Sequence, residues 1–251
     1  MIDLHTHLLP GVDDGARTFD ESVHVLTQFA EQGVTRVVCT PHLRATEATE
    51  APFTRNAALL AELRQRIGPT PALSLGWEIM LDRPGADFTR TAVRLGGAAA
   101  VLVEFPRAGI PPRAADELYR IRASGVVPVV AHPERYWGAS LAHVREWRAA
   151  GAVMQGDATF LLGPGDRGQL ARSMLAQGLF DLLASDNHGD ARSLAGAREW
   201  LVSIGATEQA ELLTHENARR VLAGEAVQPV PAVALRAGVV DRLRELLVRR
   251  A

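Results

Sequence analysis

Two histidines separated by one residue, His5 and His7, follow the segment Met-Ile-Asp-Leu near the start of the sequence. Residues two apart on a β-strand point to the same face, so both imidazoles could bind one metal ion. Asp14 adds a carboxylate beside Gly15 in the loop that follows. The first strand and its loop are therefore predicted to coordinate a metal.

Side chains of metal-binding types also end five further short apolar segments, which we predict to be buried strands. They are His42, Glu78, Glu104, His132, Asp186 and His188. In a parallel α/β barrel the carboxyl ends of the strands meet at one face, where active sites are formed. A single buried histidine or glutamate is usually a hydrogen-bonded structural residue, but so many ligand types at strand ends predict a metal centre.

The donor atoms indicate which metals would bind. Imidazole and carboxylate ligands without a thiolate suit manganese, iron or zinc. Nine such side chains are too many for one tetrahedral ion. Two or three ions that share a bridging carboxylate would use them all.

Short apolar segments alternate with longer amphipathic ones along the chain. The apolar segments, typical of buried parallel strands, are MIDLHTH, TRVVCTPH, ALSLGWEI, AAAVLVEFP, VPVVAHPE, AVMQGDA and LFDLLASDNH. Helical spacing predicts helices between them at 19–33, 55–67, 113–124, 141–150 and 168–177. This order predicts an α/β fold of one domain, a distorted (β/α)7 TIM-like barrel.

The last part of the chain is predicted to extend this barrel. Two helices are expected at 195–203 and 208–222, and the proline-containing segment GEAVQPVPAV follows them. We predict a barrel domain over residues 1–225 and a linker with a C-terminal helix over residues 226–251. The tail spaces Leu235, Val239, Leu243, Leu246 and Leu247 helically, which predicts a helix that packs on the barrel or, alternatively, contacts another subunit.

Composition argues against several classes of function. The net charge of −2 does not suit a nucleic-acid surface, and no apolar run approaches the roughly 20 residues of a membrane span. No signal-peptide pattern is recognisable, so we expect a cytoplasmic protein that neither binds nucleic acid nor inserts into a membrane.

Arginine supplies all 27 basic residues of the sequence. The absence of lysine removes Schiff-base catalysis, a phosphate-loop lysine and a carboxylated lysine that bridges two metals. Cys39 is the single cysteine, and it lies within an apolar strand too close to Arg44 for a thiolate phosphatase loop. Cys39 is therefore predicted to be a core residue, and any phosphate must be bound by arginine or metal.

The motifs MIDLHTHLLPGVDDGA, CTPH, GWEI, VLVEFP, VVAHPER and LLASDNH occur in this order within the first 192 residues. Together they resemble the polymerase and histidinol phosphatase (PHP) superfamily, most closely its bacterial branch of metal-dependent protein tyrosine phosphatases, the CpsB/YwqE type. The resemblance implies a manganese-dependent phosphomonoesterase that acts on phosphotyrosine proteins, among them a bacterial tyrosine kinase. It also implies a role in exopolysaccharide or capsule synthesis.

The resemblance further implies a site of two or three ions, commonly manganese, with iron or zinc as alternatives. Glu78 would bridge two of the ions, and Asp13 would shape the turn. The implied ligands are His5, His7, Glu78 and Asp186 for the first ion, Glu78, Glu104 and His132 for the second, and Asp14, His42 and His188 for the third.

Two arginines, Arg135 and Arg192, match the phosphate-binding arginines of this branch. They would hold the phosphate oxygens by charge-assisted bonds while a hydroxide that bridges two ions attacks phosphorus. Metal binding lowers the pKa of water to about 7, which makes this nucleophile available at neutral pH. Asp14 or a metal-bound water is a candidate general acid, although a tyrosine leaving group with a pKa of about 10 needs little protonation.

Other classes of protein stay open at this point. A small-molecule phosphatase similar to histidinol phosphatase would use the same motifs. A metal-dependent amidohydrolase also places two histidines on its first strand, but its usual bridging lysine has no counterpart here. A non-catalytic metal-binding regulator is the third alternative. The first helix lacks the arginine motif by which some relatives form rings, so we expect a monomer or a small homo-oligomer.

Overall fold

The computed structural model describes residues 1–106 and 109–235. Within them, nine β-strands pair in parallel and alternate with helices, as predicted for an α/β fold. No helix in this part of the chain is long and apolar enough to cross a bilayer. The predicted C-terminal helix lies outside the described residues, and the division of the chain at residue 225 stays a prediction.

The strands form two sheets. They are β1 (Ile2–Thr6), β2 (Arg36–Cys39), β3 (His42–Arg44), β4 (Ala72–Leu75), β5 (Glu78–Met80), β6 (Ala100–Glu104), β7 (Val127–Ala131), β8 (Val153–Asp157) and β9 (Leu182–Ala184). The first sheet has the order β1-β2-β4, and the second has the order β3-β5-β6-β7-β8-β9.

Two of the predicted strands are each divided in two. Thr40 and Pro41 separate β2 from β3, and Gly76 and Trp77 separate β4 from β5. The divided strands stay side by side, since the Gly76 amide donates to the Cys39 carbonyl (2.9 Å) and the Glu78 amide donates to that of Pro41 (3.1 Å). Their second halves pair again beyond the break, which places Glu78 directly beside His42.

The ends of β1 and β9 are also joined. The His7 amide donates to the Asn187 carbonyl (2.7 Å), and the Asp186 amide donates to the His5 carbonyl (3.1 Å). These bonds bring the last predicted strand beside the first. The sheet hydrogen bonds among the described residues do not form one closed ring, so the closed seven-stranded barrel stays a prediction.

The helices lie close to their predicted positions, except for α5 (Ala158–Leu162), which was not predicted. They are α1 (Phe19–Glu31), α2 (Phe53–Arg66), α3 (Ala114–Ala123), α4 (Leu141–Ala149), α5 (Ala158–Leu162), α6 (Gly165–Ala176), α7 (Leu194–Ser203), α8 (Thr207–Glu211) and α9 (Asn217–Ala223). A π-helical turn, Leu212–Glu216, joins α8 to α9, which were predicted as one helix.

The expected repeat of strand and helix is interrupted once. Between β5 and β6 the chain forms only two 3-10 turns, Thr91–Val93 and Leu95–Gly97. Gly96 and Gly97 both have positive φ, a conformation that does not continue a helix. The α-helix that a (β/α)7 barrel implies between these two strands is therefore absent from the described residues, and the count of seven units stays a prediction.

The strands are buried on both faces, which explains why they read as continuous apolar segments. Leu102 and Val129 pack in one hydrophobic cluster, while their neighbours Val101 and Val130 pack in another. Since both faces of these strands pack on apolar neighbours, few polar residues lie within the strands and most stand at or near the strand ends. The start of the predicted linker also packs on the domain, because Val230 and Val233 are buried against it.

Candidate metal centre

All nine predicted metal ligands converge at one place, which lies at the carboxyl ends of β1, β6, β7 and β9 and at the starts of β3 and β5. Their donor atoms form four overlapping groups, each with all its atoms within 4.8 Å of one another. The groups are His5, His7 and Asp186; His5, Glu78 and His132; His42, Glu78 and Glu104; and His7, Asp14, His42 and His188. Residues from the beginning and the end of the domain thus meet at one place.

Glu78, at the start of β5, lies in the middle of these groups. Its Oε2 is 3.3 Å from Nε2 of both His5 and His7 and 3.0 Å from Nδ1 of His42. Its Oε1 is 2.8 Å from Nε2 of His132. A carboxylate in contact with four imidazoles has the position that a bridging ligand requires.

Two side chains orient the histidines of the first strand. The Oε1 atom of Gln155 is 2.9 Å from Nδ1 of His5, and Oδ2 of Asp13 is 2.7 Å from Nδ1 of His7. With both Nδ1 atoms occupied, the two Nε2 atoms face each other across 3.2 Å. Such contacts on the second nitrogen are how proteins fix the ring of a metal-binding histidine.

Asp13 therefore does more than shape the turn for which it was predicted. It accepts a hydrogen bond from the Gly15 amide (3.1 Å), which closes the turn. It also accepts from the His42 amide (3.0 Å) and so ties the loop after β1 to the start of β3. The neighbouring Asp14 points to the other side, with Oδ1 3.2 Å from Nε2 of His42 and 3.5 Å from Nε2 of His188.

Burial and mutual charge shift the pKa values of the centre strongly. Burial opposes ionisation of Glu78, but the charge of His5 outweighs it and holds the pKa of Glu78 well below its usual range. Burial opposes protonation of His5, but Glu78 and Asp186 raise its pKa to about 9. Burial, reinforced by the charge of Glu78, raises the pKa of Glu104 to about 7. The carboxylates at this site thus require compensating positive charge.

The donor set fits divalent cations. The Nε2 atoms of His5 and His7 lie 3.2 Å apart, and only one of them can carry a hydrogen in such a contact. Nδ1 of His132 is buried and has no hydrogen-bond partner among the described residues. Imidazole nitrogens and carboxylate oxygens without sulfur suit manganese, iron or zinc. Cations placed among the four groups would satisfy donors that otherwise compete.

Two of the predicted ligand residues have unusual backbone conformations. His132 follows β7 with φ of 34°, and Asp186 follows β9 with φ of 48°. Left-handed conformations are uncommon for residues other than glycine and concentrate at functional sites. At both positions the bend turns the side chain into the centre.

The metal-ligand groups open into a cleft of about 510 Å³. Arg135, in the 3-10 turn after His132, lines this cleft and donates to Asp186. The guanidinium also lies 3.7 Å from Oδ2 of Asp157 and 5.4 Å from the centre of the Phe160 ring. Arg135 thus presents a fixed, partly buried cation beside the candidate ligands.

Arg192 lies differently. Its guanidinium binds the carboxylate of Asp190 two residues before it (2.8 Å) and is 3.5 Å from Oδ2 of Asp186. It does not belong to the residues that line the cleft. A role for Arg192 in phosphate binding stays a prediction.

Cys39 is fully buried, as predicted for a core residue, and it is not among the residues that line the cleft. Burial raises the pKa of its thiol to about 12. The thiolate that a cysteine phosphatase needs is therefore absent at neutral pH.

The sequence interpretation missed several polar side chains of the site. Gln155 and Asp157 lie on β8, the one predicted strand to which no site residue was assigned. The MQGDA segment carried the same signal as the other strands, a carboxylate at its end. Trp137 and Arg167 line the cleft as well, but they stand in segments with no recognisable pattern.

The fold and the site together indicate a general class of protein. The phosphotriesterase from Mycobacterium tuberculosis has the same overall fold, with a TM-score of 0.52 at 12% identity over 84% of this chain and 86% of that chain. The molecule is thus an α/β protein of a fold found among hydrolases, with a candidate metal centre at its strand ends.

Within this class, the chain belongs to the family described as "Capsular polysaccharide synthesis, CpsB/CapC", whose sequence profile matches residues 1–223. The tyrosine-protein phosphatase YwqE from Bacillus subtilis is 28% identical over 201 residues, 75% of this chain and 77% of its own. This match confirms the predicted CpsB/YwqE branch.

A solved structure supports the fold of this family. It comes from a study of YwqE from Bacillus subtilis and CpsB from Streptococcus pneumoniae, described as unique metal-dependent tyrosine phosphatases. It matches with a TM-score of 0.74 at 24% identity, over 94% of this chain and 100% of that chain. The names of these relatives agree with the predicted metal-dependent phosphoric monoester hydrolase.

Proposed function

We propose that the protein is a manganese-dependent tyrosine phosphatase that hydrolyses phosphotyrosine in proteins. The observation that carries this proposal is the convergence of nine ligand-type side chains around Glu78, with Arg135 on the wall of the same cleft. Membership of the CpsB/CapC family supports it. We also place this family within the PHP superfamily.

Three ions would share the donors. His5, His7 and Asp186 would hold the first, Glu104 and His132 the second, and Asp14, His42 and His188 the third, with Glu78 as the shared carboxylate. When bound, such ions lower the pKa of water and stabilise the charge of a phosphate in displacement. Gln155 and Asp13 would keep Nε2 of His5 and His7 directed at the metals.

Arg135 would bind and orient the phosphate. Its planar guanidinium can donate two parallel hydrogen bonds to phosphate oxygens, which favours the charge that builds up during hydrolysis. A tyrosine oxygen leaves with a pKa of about 10 and needs less protonation than an alkyl oxygen. Phenyl phosphates therefore suit a centre whose candidate general acid, Asp14, is half exposed and lies 3.2 Å from Nε2 of His42.

The biological setting follows from the family description. We propose a cytoplasmic phosphatase, monomeric or a small homo-oligomer, whose substrate is a phosphotyrosine protein such as a tyrosine kinase in capsule or exopolysaccharide synthesis. The family's link to capsular polysaccharide synthesis supports this assignment.

The proposal is tested by stripping the purified protein of metal and adding back manganese, iron or zinc. Phosphotyrosine peptide, phosphoserine peptide and histidinol phosphate are then compared as substrates. We expect manganese to restore hydrolysis, with phosphotyrosine preferred. His5→Ala and Glu78→Gln should abolish it, while His24→Ala, on the exposed face of α1, should not. A preference for histidinol phosphate, or activity without metal, would overturn the assignment.

A further inference from the structure

The rim of the cleft carries an exposed tryptophan. Trp137 is 85% exposed, the most exposed of the large apolar side chains in the described part of the chain. Of the four such side chains, it is the one that lines the cleft of the candidate metal centre. An indole at the mouth of a cleft offers a large flat surface to a bound ligand.

The backbone that leads to Trp137 is anchored by the buried neighbour of Trp137, Tyr136. The hydroxyl of Tyr136 donates to the Ala131 carbonyl (2.7 Å) and accepts from the Phe105 amide (3.2 Å). These two hydrogen bonds anchor the turn that begins at His132. Trp137 stands just after this turn, two residues beyond Arg135. Trp137 therefore follows an anchored stretch of backbone and lines the same cleft as the candidate phosphate-binding arginine.

An exposed arginine, Arg167, completes this rim. It lies in the first turn of α6, where a cation is disfavoured by the helix dipole. No carboxylate in the described ranges lies within 4 Å of its guanidinium, which lies 5.6 Å from the centre of the Phe160 ring. The same ring also contacts Arg135, so Phe160 links the two cations. Arg167 thus lines the cleft without an internal carboxylate partner in the described part of the chain.

We propose that Trp137 and Arg167, the cleft rim, select aryl phosphates that carry a neighbouring carboxylate, as in an acidic phosphotyrosine peptide. This inference rests on the proposed phosphatase function. Trp137 packs on the aromatic ring of the phosphotyrosine, and Arg167 pairs with an Asp or Glu next to it. Aromatic stacking of this kind contributes about 0.5–1.5 kcal/mol, a factor of roughly 2 to 13 in affinity.

Trp137 is tested by comparing aryl and alkyl substrates. In Trp137→Ala we expect kcat/KM for a phosphotyrosine peptide to fall about 5- to 10-fold through KM, and that for a phosphoserine peptide to fall less than 2-fold. Trp137→Phe should recover most of the loss. Tyr119→Ala removes another exposed aromatic ring outside the cleft and is the matched control. Equal losses for both substrates would contradict the role of Trp137.

Arg167 is tested with phosphotyrosine peptides that differ only in glutamate or alanine beside the tyrosine. Arg167→Gln should reduce the preference for the glutamate peptide about 3- to 5-fold, and added salt should reduce it in the wild type. Arg55→Gln, on the exposed face of α2, is the control. A wild-type enzyme that does not distinguish the two peptides would overturn this part.

Binding provides a readout that does not depend on turnover. Trp77, Trp147 and Trp200 are buried, so Trp137 is the tryptophan that acrylamide can reach. A non-hydrolysable phosphonate analogue of the acidic peptide should protect the fluorescence from quenching, and Trp137→Phe should remove this effect. Unchanged quenching with saturating analogue would overturn the inference. If no phosphate ester is hydrolysed with any metal, the proposed function itself fails.

Discussion

At the scale of single residues, position within the centre decides what each polar side chain does. Glu78 is surrounded by imidazoles, so its charge is stabilised and its pKa stays low. Glu104 is partly buried near Glu78, and burial together with the charge of Glu78 raises its pKa to about 7. The pKa values of these two glutamates thus differ because their burial and their charged neighbours differ.

Arg135 is predicted to act on the phosphate and not on the metal. Arg135→Ala should lower kcat/KM for an aryl phosphate by about 100-fold or more, because a preorganised charge on the phosphate is lost. Arg135→Lys should recover little, since an ammonium cannot make the paired bonds. Steady-state kinetics and metal analysis measure both effects, with exposed Arg145→Ala as control. Loss of metal in Arg135→Ala would assign it to holding Asp186.

Cys39 is predicted to be chemically silent. With a pKa of about 12, roughly one thiol in ten thousand is ionised at pH 8. Iodoacetamide should leave the native protein active and unmodified, while the urea-unfolded protein should be alkylated fully. Mass spectrometry and an activity assay measure this, and Cys39→Ser should keep its activity. Inactivation by alkylation of the native protein would refute the metal-based mechanism.

At the scale of elements, the loop after β1 connects several parts of the centre. Gly15 packs against the backbone of His7, and the Ala16 amide donates to the His7 carbonyl (2.9 Å). Asp13 in the same loop reaches both His7 and the start of β3. The backbone of the loop thus positions Asp14, so a change in this backbone should alter the affinity for metal.

Gly15→Ala tests this loop. A Cβ at this position would lie 2.0 Å from the His7 carbonyl oxygen, so the loop must move. We expect the affinity for manganese to fall at least about 10-fold, because contacts that orient the metal ligands would be lost. Calorimetric titration with manganese measures this. Gly68→Ala is the control, because its Cβ would meet nothing within 4 Å. Unchanged affinity in Gly15→Ala would show that the loop adapts.

At the scale of the whole molecule, the buried charges link folding to pH and to metal. Glu78 and Asp186 raise the pKa of His5 to about 9 against its burial, and burial raises that of Glu134 to about 8. A pKa raised in the folded state means that the folded protein binds more protons than the unfolded chain. Stability is then lost as pH rises from the unfolded value towards the folded value.

The metal-free protein should accordingly become less stable between about pH 6.5 and pH 9. Thermal unfolding followed by circular dichroism should show a falling Tm across this range. Manganese binds only deprotonated ligands, so the gain in Tm on adding it should increase over the same range. A metal-free Tm that rises with pH, or a gain from manganese that shrinks, would contradict this account.

Much of this molecule could be predicted from the sequence because its signals are local. The apolar segments and helical spacing placed most elements near their observed bounds, and the ligand types at strand ends indicated the metal centre before any distance was known. Parallel strands bring their carboxyl ends to one edge whatever their exact packing, so His5 and Asp186 could be expected to meet. Residue type then determined which metals suit the site.

Other features depend on three-dimensional packing and have no local signal. Three such features arise when strands far apart in sequence pack together. They are the break that puts His42 beside Glu78, the absence of an α-helix from the described residues between β5 and β6, and the contacts of Gln155 and Asp13 with the histidines of β1. The same holds for the meeting of Trp137 and Arg167 at the cleft. The sequence determined the fold class and the chemistry of the site, because periodicity and residue type are local. Only the tertiary structure decided which donors share a neighbour, because distance depends on the whole fold.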